Sequence, residues 1–340
     1  MQTTQVQVES PRAEPTSEQM RAVVYDAYGP FDALAVRTID RPSVGETQVL
    51  VRVCAASLHI GDCFAIHGKP YGMRLMTGLS RPKQGIPGFD LAGVVEAVGK
   101  AVQRFKPGDE VFGASWGTCA EYVRAEADHL ARKPEKLDFG PAAALVTSGL
   151  AALHAMRDVA KLKAGQKILI IGASGGVGHL AVQLAKEYGA EVTGVCSSHS
   201  GAMVRFIGAD HIVDYAHEDF AQSAARYDVV FDNIEDRSLG DCRRVLTPDG
   251  MLILNSGRGA DGIPMLIRLL KPLVVSRFVR HNLRRYLSTP SHADLKVLAE
   301  LAEAEKLIPV IHATYPLEET AHALRQIEAG HVRGKVVVHV

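Results

Sequence analysis

The chain is short of several things at once, and each shortage closes off a class of function. Its five cysteines, Cys54, Cys63, Cys119, Cys196 and Cys242, are odd in number, widely spaced and contain no C-x-x-C pair. That pattern fits reduced thiols in a cytosol better than a disulfide framework. Charge of one sign is not in excess, with 38 Lys plus Arg against 38 Asp plus Glu. No net field therefore draws the chain to nucleic acid or to an anionic membrane, which leaves a protein of small-molecule chemistry. Long apolar runs are also wanting. The stretch 263–275 is interrupted by Arg268 and Lys271, so it does not read as a bilayer span. The first nineteen residues, up to Gln19, carry Pro11, Pro15 and three glutamates but almost no large apolar groups. They are expected to form a loose tail, and they have neither the apolar core of a signal peptide nor the acid-poor composition of a transit peptide. The expected location is the cytoplasm.

What is present points to folded domains. Apolar residues at 47% and charged residues at 22% support sizeable cores, and 340 residues suit two domains. From Met20 to about Leu145 the text is β-like. Val49, Val51 and Val53 alternate with Leu50 and Arg52, and further strands are expected at 92–98, 110–112 and 120–123. Turns at Gly45, Pro87-Gly88 and Pro107-Gly108 separate them, which predicts a compact barrel-like domain. From Lys167 the rhythm changes to strand, helix, strand. Lys167–Ile171 is a continuous apolar run, followed by Val177, Leu180, Ala181, Leu184 and Ala185 at helical spacing. Later strands are expected at 191–195, 212–213, 228–231 and 251–254, with a sixth complete by about Val279. This alternation predicts a parallel, doubly wound sheet of Rossmann type. Helices at 295–307 and 317–329 and strands at 308–311 and 335–340 are expected to return to the first domain. The domain reading is thus a tail 1–19, a catalytic domain 20–146 plus 288–340, and a nucleotide-binding domain 147–287.

The segment Gly172-Ala173-Ser174-Gly175-Gly176-Val177-Gly178 follows one strand and opens a helix. Three glycines at this spacing serve a tight turn, close approach of backbone to a pyrophosphate, and helix-to-strand contact without an intervening Cβ. The N–H groups at the helix start then face the phosphates. A second strand ends about 20 residues on, as the dinucleotide fingerprint requires. Where an NAD site would place an acid there, the chain reads Cys196-Ser197-Ser198-His199-Ser200. Ser197, Ser198 and His199 offer hydrogen bonds to a 2′-phosphate, with Arg205 a further cation, so NADPH is the expected cofactor. A site that discriminates poorly between the two nucleotides is the other reading.

Further marks are Gly88-Phe89-Asp90-Leu91-Ala92-Gly93 at the head of the run 88–99, Lys106-Pro107-Gly108-Asp109-Glu110-Val111, and Gly208-Ala209-Asp210-His211 with Asp214-Tyr215. The ending Gly330-His331-Val332-Arg333-Gly334-Lys335 completes them. With the glycine turn, they resemble the medium-chain dehydrogenase/reductase superfamily, in its zinc-independent quinone oxidoreductase (zeta-crystallin-like) branch, over nearly the whole chain. The resemblance implies a GroES-like catalytic domain, a Rossmann domain, a cleft between them and a homodimer. Zinc members carry a Cys, then Gly-His-Glu, then a third ligand. Here the first position reads His59, the second has Phe89 in place of the His, and the third falls near Leu145. A catalytic zinc takes three protein ligands, so no metal is expected.

The resemblance also nominates site residues. His59 stands where the branch has an Asn facing the substrate, and Asp62 follows three residues on. A histidine there can hydrogen-bond a carbonyl or donate a proton, and an ordinary packed histidine is the equal alternative. Tyr71 lies near the position of a proton-donating Tyr in related enoyl reductases, although a cleft-wall aromatic is the favoured reading. Thr147 and Ser148 resemble the segment flanking the nicotinamide, and Tyr215 a residue near the adenosine phosphate. Asn233, Asn255 and Ser256 follow the fourth and fifth strands, on the nucleotide-binding edge. Arg333 resembles a basic residue reaching the cofactor from the catalytic domain. The long loop 68–85, with Met73, Leu75, Met76 and Leu79, is expected to line the substrate pocket or to form local core. The function these readings favour is NADPH-dependent reduction of a quinone or an α,β-unsaturated carbonyl. A zinc-free alcohol dehydrogenase or carbonyl reductase, and a non-catalytic NADPH-binding protein, are the alternatives. Neither nucleic acid nor membrane is an expected partner.

Overall fold

A computed structural model describes residues 18–255, 270–272 and 274–340. Two sheets dominate it. After β1 (Gln19–Val24) and β2 (Ala35–Asp40), the first is built from β3 (Gln48–Leu58), β4 (Asp90–Val98), β5 (Glu110–Ala114), β6 (Tyr122–Glu126) and β7 (Leu130–Arg132). β1 and β2 form a separate antiparallel pair, bridged to the rest at Ala22 and Ala120. β3 sits centrally, with β4 and β6 antiparallel to it. Its alternating valines Val49, Val51 and Val53 are buried in one cluster with Leu91, Val95 and Val111 of the neighbouring strands. Period-two patterning and β-branched side chains are what a half-covered pleated surface selects.

The second sheet takes β8 (Lys167–Ile171), β9 (Glu191–Cys196), β10 (His211–Asp214), β11 (Tyr227–Asp232), β12 (Leu246–Leu254) and β13 (Asn282–Arg285). All pairings are parallel, in the order β10-β9-β8-β11-β12-β13. Ile168, Leu169 and Ile170 are fully buried because helices cover both faces. The chain leaves β8 toward β9 on one side and returns to β11 on the other. That reversal opens the crevice where doubly wound sheets bind ligands. The sixth strand begins at Asn282, a few residues later than the pattern suggested.

The C-terminal segment contributes β14 (Ile311–Pro316) and β15 (Lys335–His339), and β15 pairs antiparallel with β3 of the first sheet. The expected strand at 308–311 is shifted to Ile311–Pro316. Pro309 has no N–H to give a ladder, and the Ile308 amide is taken by Gln183 Oε1 at 2.8 Å. The helix expected at 295–307 runs instead over His292–Glu303, because Ser291 caps it through the Asp294 amide and Glu305 turns left-handed.

Between the sheets lies the helix Phe139–Leu153, continued by a wider turn to Ala160. Its Ala142, Leu145, Leu150 and Leu153 join one core with Ala92 and Phe112 of the first sheet, Ile168 and Ile170 of the second, and Leu180 of the helix that follows β8. Each buried leucine contributes about 2 kcal/mol of transfer free energy. By length and composition the stretch Phe139–Ala160 could cross a bilayer, a feature the sequence reading passed over. Because 78% of its most apolar window is buried within the protein, it is a core helix.

Candidate functional site

The glycine turn sits at the crevice, and its geometry separates the roles of its glycines. Gly172 has φ of 75°, in the left-handed region that a side chain disfavours. Its amide and that of Ala173 both donate to Val195 O, tying the turn to β9. A Cβ on Gly178 would lie 2.0 Å from Gly172 O, so the helix Gly178–Glu187 packs on the turn only because that atom is missing. At Gly175 a Cβ would meet nothing closer than Gly172 O at 3.4 Å, which leaves the space above open. Among the described residues the amides of Ser174, Gly176 and Val177 form no hydrogen bond within the chain. They stand at a helix start, ready for an external anion. His179 braces the turn from below: buried, it donates through Nδ1 to Gly175 O at 2.9 Å. Burial, with the Lys335 charge adding to it, lowers its pKa to about 4, so its ring is neutral at physiological pH.

From the turn a cleft of about 900 Å³ extends past the end of β9, lined by Ser174, Gly175, Ser197, His199, Tyr215 and Arg333. Arg333 reaches across it, donating from Nη1 to His199 O at 3.4 Å. Ser198 corrects the sequence reading. Its hydroxyl donates to the Asp214 carboxylate and is not free for a phosphate. Asp214 was missed because it comes from β10, where pairing brings it opposite Cys196. The Ser198 hydrogen bond, with His217 and the Ala216 amide, lowers its pKa to about 2. This end therefore holds a carboxylate that inspection of β9 alone did not show. Ser197 Oγ is 3.2 Å from Ser200 Oγ, and Arg205 is exposed on its helix, outside the cleft lining.

On the other side of the turn, Asn233 donates to Ile171 O at 3.1 Å and accepts from Asn255 at 2.9 Å. The two asparagines are thus brought together beyond the ends of β8, β11 and β12; Ser256 lies outside the described residues. Thr147 is partly exposed and Ser148 buried on the central helix. A Cβ on Gly176 would fall 3.5 Å from Ser148 Oγ and 3.4 Å from Lys335 Cδ, so the helix and β15 both touch the turn.

The barrel side supplies His59 and Asp62. His59 is the N-cap of the helix Ile60–His67: its Nδ1 accepts from the Gly61 amide at 3.0 Å, and its own amide donates to Asp62 Oδ2 at 2.8 Å. This reciprocal box explains the His-x-x-Asp spacing and corrects the catalytic reading of Asp62. The carboxyl is buried and spent on the cap, and burial raises its pKa. For His59 the cap has a chemical consequence. With Nδ1 an acceptor, the neutral ring carries its proton on Nε2. That atom is shielded from solvent and has no hydrogen-bond partner among the described residues. Tyr71 is 57% exposed, with Arg74 stacked over its ring at 5.1 Å. It belongs to the 68–85 loop, which lines its own cavity of about 710 Å³ with Arg74, Leu75, Leu79, Arg81 and Lys83.

The alcohol dehydrogenase GroES-like domain matches residues 45–135, and the zinc-binding dehydrogenase family matches residues 207–338. The chain is 33% identical to the chloroplastic NADPH-dependent alkenal/one oxidoreductase of Arabidopsis thaliana, across 95% of this chain and 80% of that one. It is 30% identical to the 2-methylene-furan-3-one reductase of Solanum lycopersicum, across 94% and 79%. The quinone oxidoreductase structure from Coxiella burnetii superposes with a TM-score of 0.81 at 31% identity, over 95% of this chain and 99% of that one. The chain belongs to the medium-chain dehydrogenase/reductase superfamily. It falls in the quinone and enone oxidoreductase branch and is an oxidoreductase. One matched family is described as zinc-binding, but the residues here do not fit the metal. Phe89 packs edge-on against Trp116 with ring centroids 5.0 Å apart, Leu145 is fully buried, and His59 Nδ1 is occupied by its cap. Among the described residues no three His, Cys, Asp or Glu side chains converge as a metal site.

Proposed function

We propose that this chain is an NADPH-dependent reductase that delivers hydride to a quinone or an α,β-unsaturated carbonyl without zinc. One observation carries the reading. The glycine turn is closed against its own backbone at Gly178 and open at Gly175, at the point where the strand order reverses. Three amides at a helix start suit a pyrophosphate, and Asn233 with Asn255 suits the ring beyond it. Arg333 and His199 bring positive and hydrogen-bonding groups to the far end, which favours a 2′-phosphate over a bare hydroxyl. The names of the relatives, alkenal/one oxidoreductase and quinone oxidoreductase among them, support the same nucleotide and acceptors.

Bound NADPH supplies the hydride. The chain supplies position and one hydrogen bond. His59 Nε2–H is a donor with its direction set by the helix cap, and it is the group we assign to the acceptor oxygen. A single neutral donor stabilises a delocalised oxyanion better matched to its strength than the localised alkoxide of a plain ketone. Quinones and enones are therefore the acceptors it fits. A steady-state screen with NADPH against naphthoquinones, alkenals, enones and saturated ketones tests this. Turnover is expected on the first three groups; turnover confined to saturated ketones, or binding of NADPH with no turnover at all, overturns it.

A further inference from the structure

Beneath the glycine turn lies a charged pair that the reaction just described leaves unused. Asp90, at the start of β4, and Lys335, at the start of β15, are 0% and 2% exposed, with Nζ 3.4 Å from Oδ2. A lysine side chain at the head of a strand that continues Val-Val-Val is expensive to bury, and a lone ion pair often fails to repay that cost. The other carboxylate oxygen explains its use. Asp90 Oδ1 accepts from both the amide and the hydroxyl of Thr147. Thr147 is the one residue between Ala142 and Met156 on the central helix that is not buried. Its Asp90 partner also holds Lys335, which with Ser148 borders Gly176, so Thr147 is one residue and one ion pair away from the glycine turn. Gly334 also donates its amide to Ser174 O at 2.8 Å, so β15 and the turn are held as one unit.

The chemistry of the pair decides the polarity of Thr147. One carboxylate oxygen of Asp90 faces the Thr147 amide and hydroxyl and the other faces Lys335, a donor only, so both oxygens are placed as acceptors. The hydroxyl proton is thereby committed to Asp90, and what Thr147 Oγ1 presents outward is lone pairs. Such a group cannot stabilise a developing oxyanion, but it can receive an N–H. An extended dinucleotide with its adenosine half past β9 and its pyrophosphate on the turn puts the other half on this side.

We propose that the Asp90–Lys335 pair is a positioning device, which holds Thr147 Oγ1 as an acceptor for the carboxamide N–H of the nicotinamide. This inference rests on the nucleotide reading above and deepens it. The ring would then be held in one rotation about its glycosidic bond, presenting one face to the acceptor.

The test compares calorimetric binding of NADP with that of its 3-acetylpyridine analogue, in which the carboxamide NH₂ is a methyl group. Wild-type protein is expected to prefer NADP, and the ratio of the two affinities is the readout. Thr147→Val should shrink that ratio about fivefold, the worth of one neutral hydrogen bond. Thr147→Ser should keep it. Asp90→Asn should also shrink it with Thr147 intact, because the new amide oxygen is drawn to Lys335 and its NH₂ turns toward Oγ1. A merely structural role would weaken both nucleotides alike and leave the ratio alone. Should Asp90→Asn not fold, the Thr147 variants decide the acceptor assignment, and Lys335→Arg, which keeps a donor-only cation, should retain the ratio. An unchanged ratio in Thr147→Val overturns this inference alone; failure of wild-type protein to bind NADP overturns the functional reading with it.

Discussion

The two halves of the nucleotide path are built in opposite ways. The phosphate turn is made of backbone from seven consecutive residues, and its specificity comes from atoms that are missing. The junction proposed beyond it is made of side chains from Asp90, Thr147 and Lys335, on three elements spread over most of the chain, with His59 assigned to the acceptor. Glycine shapes the first by absence of steric volume, so a wrong residue there is met by backbone that cannot yield. Hydrogen-bond polarity shapes the second, so a wrong residue there leaves the fold standing and misdirects one proton. On the proposed reading, one ligand would be held by a rigid anchor at its centre and by tunable contacts at its end.

Two substitutions in the turn, three residues apart, test the anchor most severely. Gly178→Ala places a methyl 2.0 Å from Gly172 O, where no flexible side chain can move away. It should lower stability by about 3 kcal/mol and abolish NADPH binding, as seen by thermal denaturation and calorimetry. Gly175→Ala places the same methyl in open space 3.4 Å from the same oxygen. It should leave the melting temperature near wild type and weaken NADPH alone. If both variants behave alike, the division between a sealed and an open glycine is wrong.

The difference in construction also explains what could be read from the letters. The parallel sheet, the helix after β8 and the turn were legible because each is written in consecutive residues with a period or a punctuation. The barrel strands were legible for the same reason, and β14 was displaced because Pro309 breaks an otherwise apolar run. Asp90 and Lys335 both stood inside recognised motifs, yet their partnership needs β15 to return beside β3 and the central helix to pass between the sheets. No local pattern contains that. The usable signal was a lysine among valines at the start of a core strand. Asp214 was hidden likewise, since it reaches Ser198 only because β10 pairs beside β9. Asp62 misled because a capping box and a catalytic pair share the same spacing, and only the 2.8 Å contact to the His59 amide tells them apart.

At the tunable end, His59→Ala should lower kcat for a quinone about a hundredfold with little change in NADPH affinity, since one preorganised donor is lost. The loss of the cap adds about 1 kcal/mol of destabilisation, which denaturant titration separates from the rate effect. His59→Asn supplies both an acceptor for Gly61 and a donor, and should recover most of the rate. A kcat for His59→Ala equal to wild type removes the donor assignment.

His179 joins the two ends, since it braces the turn and lies beside Lys335. Its folded pKa of about 4 is below the ordinary value near 6.5. As pH falls through 6.5 the unfolded chain takes up a proton that the folded chain refuses until about 4, so stability is lost across that window and levels off below it. The loss between pH 7 and pH 5 should be about 2 kcal/mol. In His179→Gln that slope should flatten, measured by urea unfolding at the two pH values, even though the variant is less stable at both. An equal slope in the two proteins would mean that other groups carry the acid sensitivity.

The smallest expected effect sharpens the comparison at the adenosine end, where the contacts are exposed. Arg333 and Asp214 carry opposite charges near the end of β9, and only Arg333 lines the cleft itself. Removing the cation in Arg333→Ala should cut the preference for NADPH over NADH about tenfold, read as the ratio of kcat/KM values. Because the guanidinium is solvated, that contribution should shrink with added salt, whereas the anchor's contribution should hold, being steric. Asp214→Asn should move the same ratio the other way by a smaller factor, since its charge is already spread over Ser198, His217 and the Ala216 amide. If Arg333→Ala leaves the ratio intact at low salt, the phosphate is being read by Ser197 and His199, and the long reach from the barrel domain serves only to close the cleft.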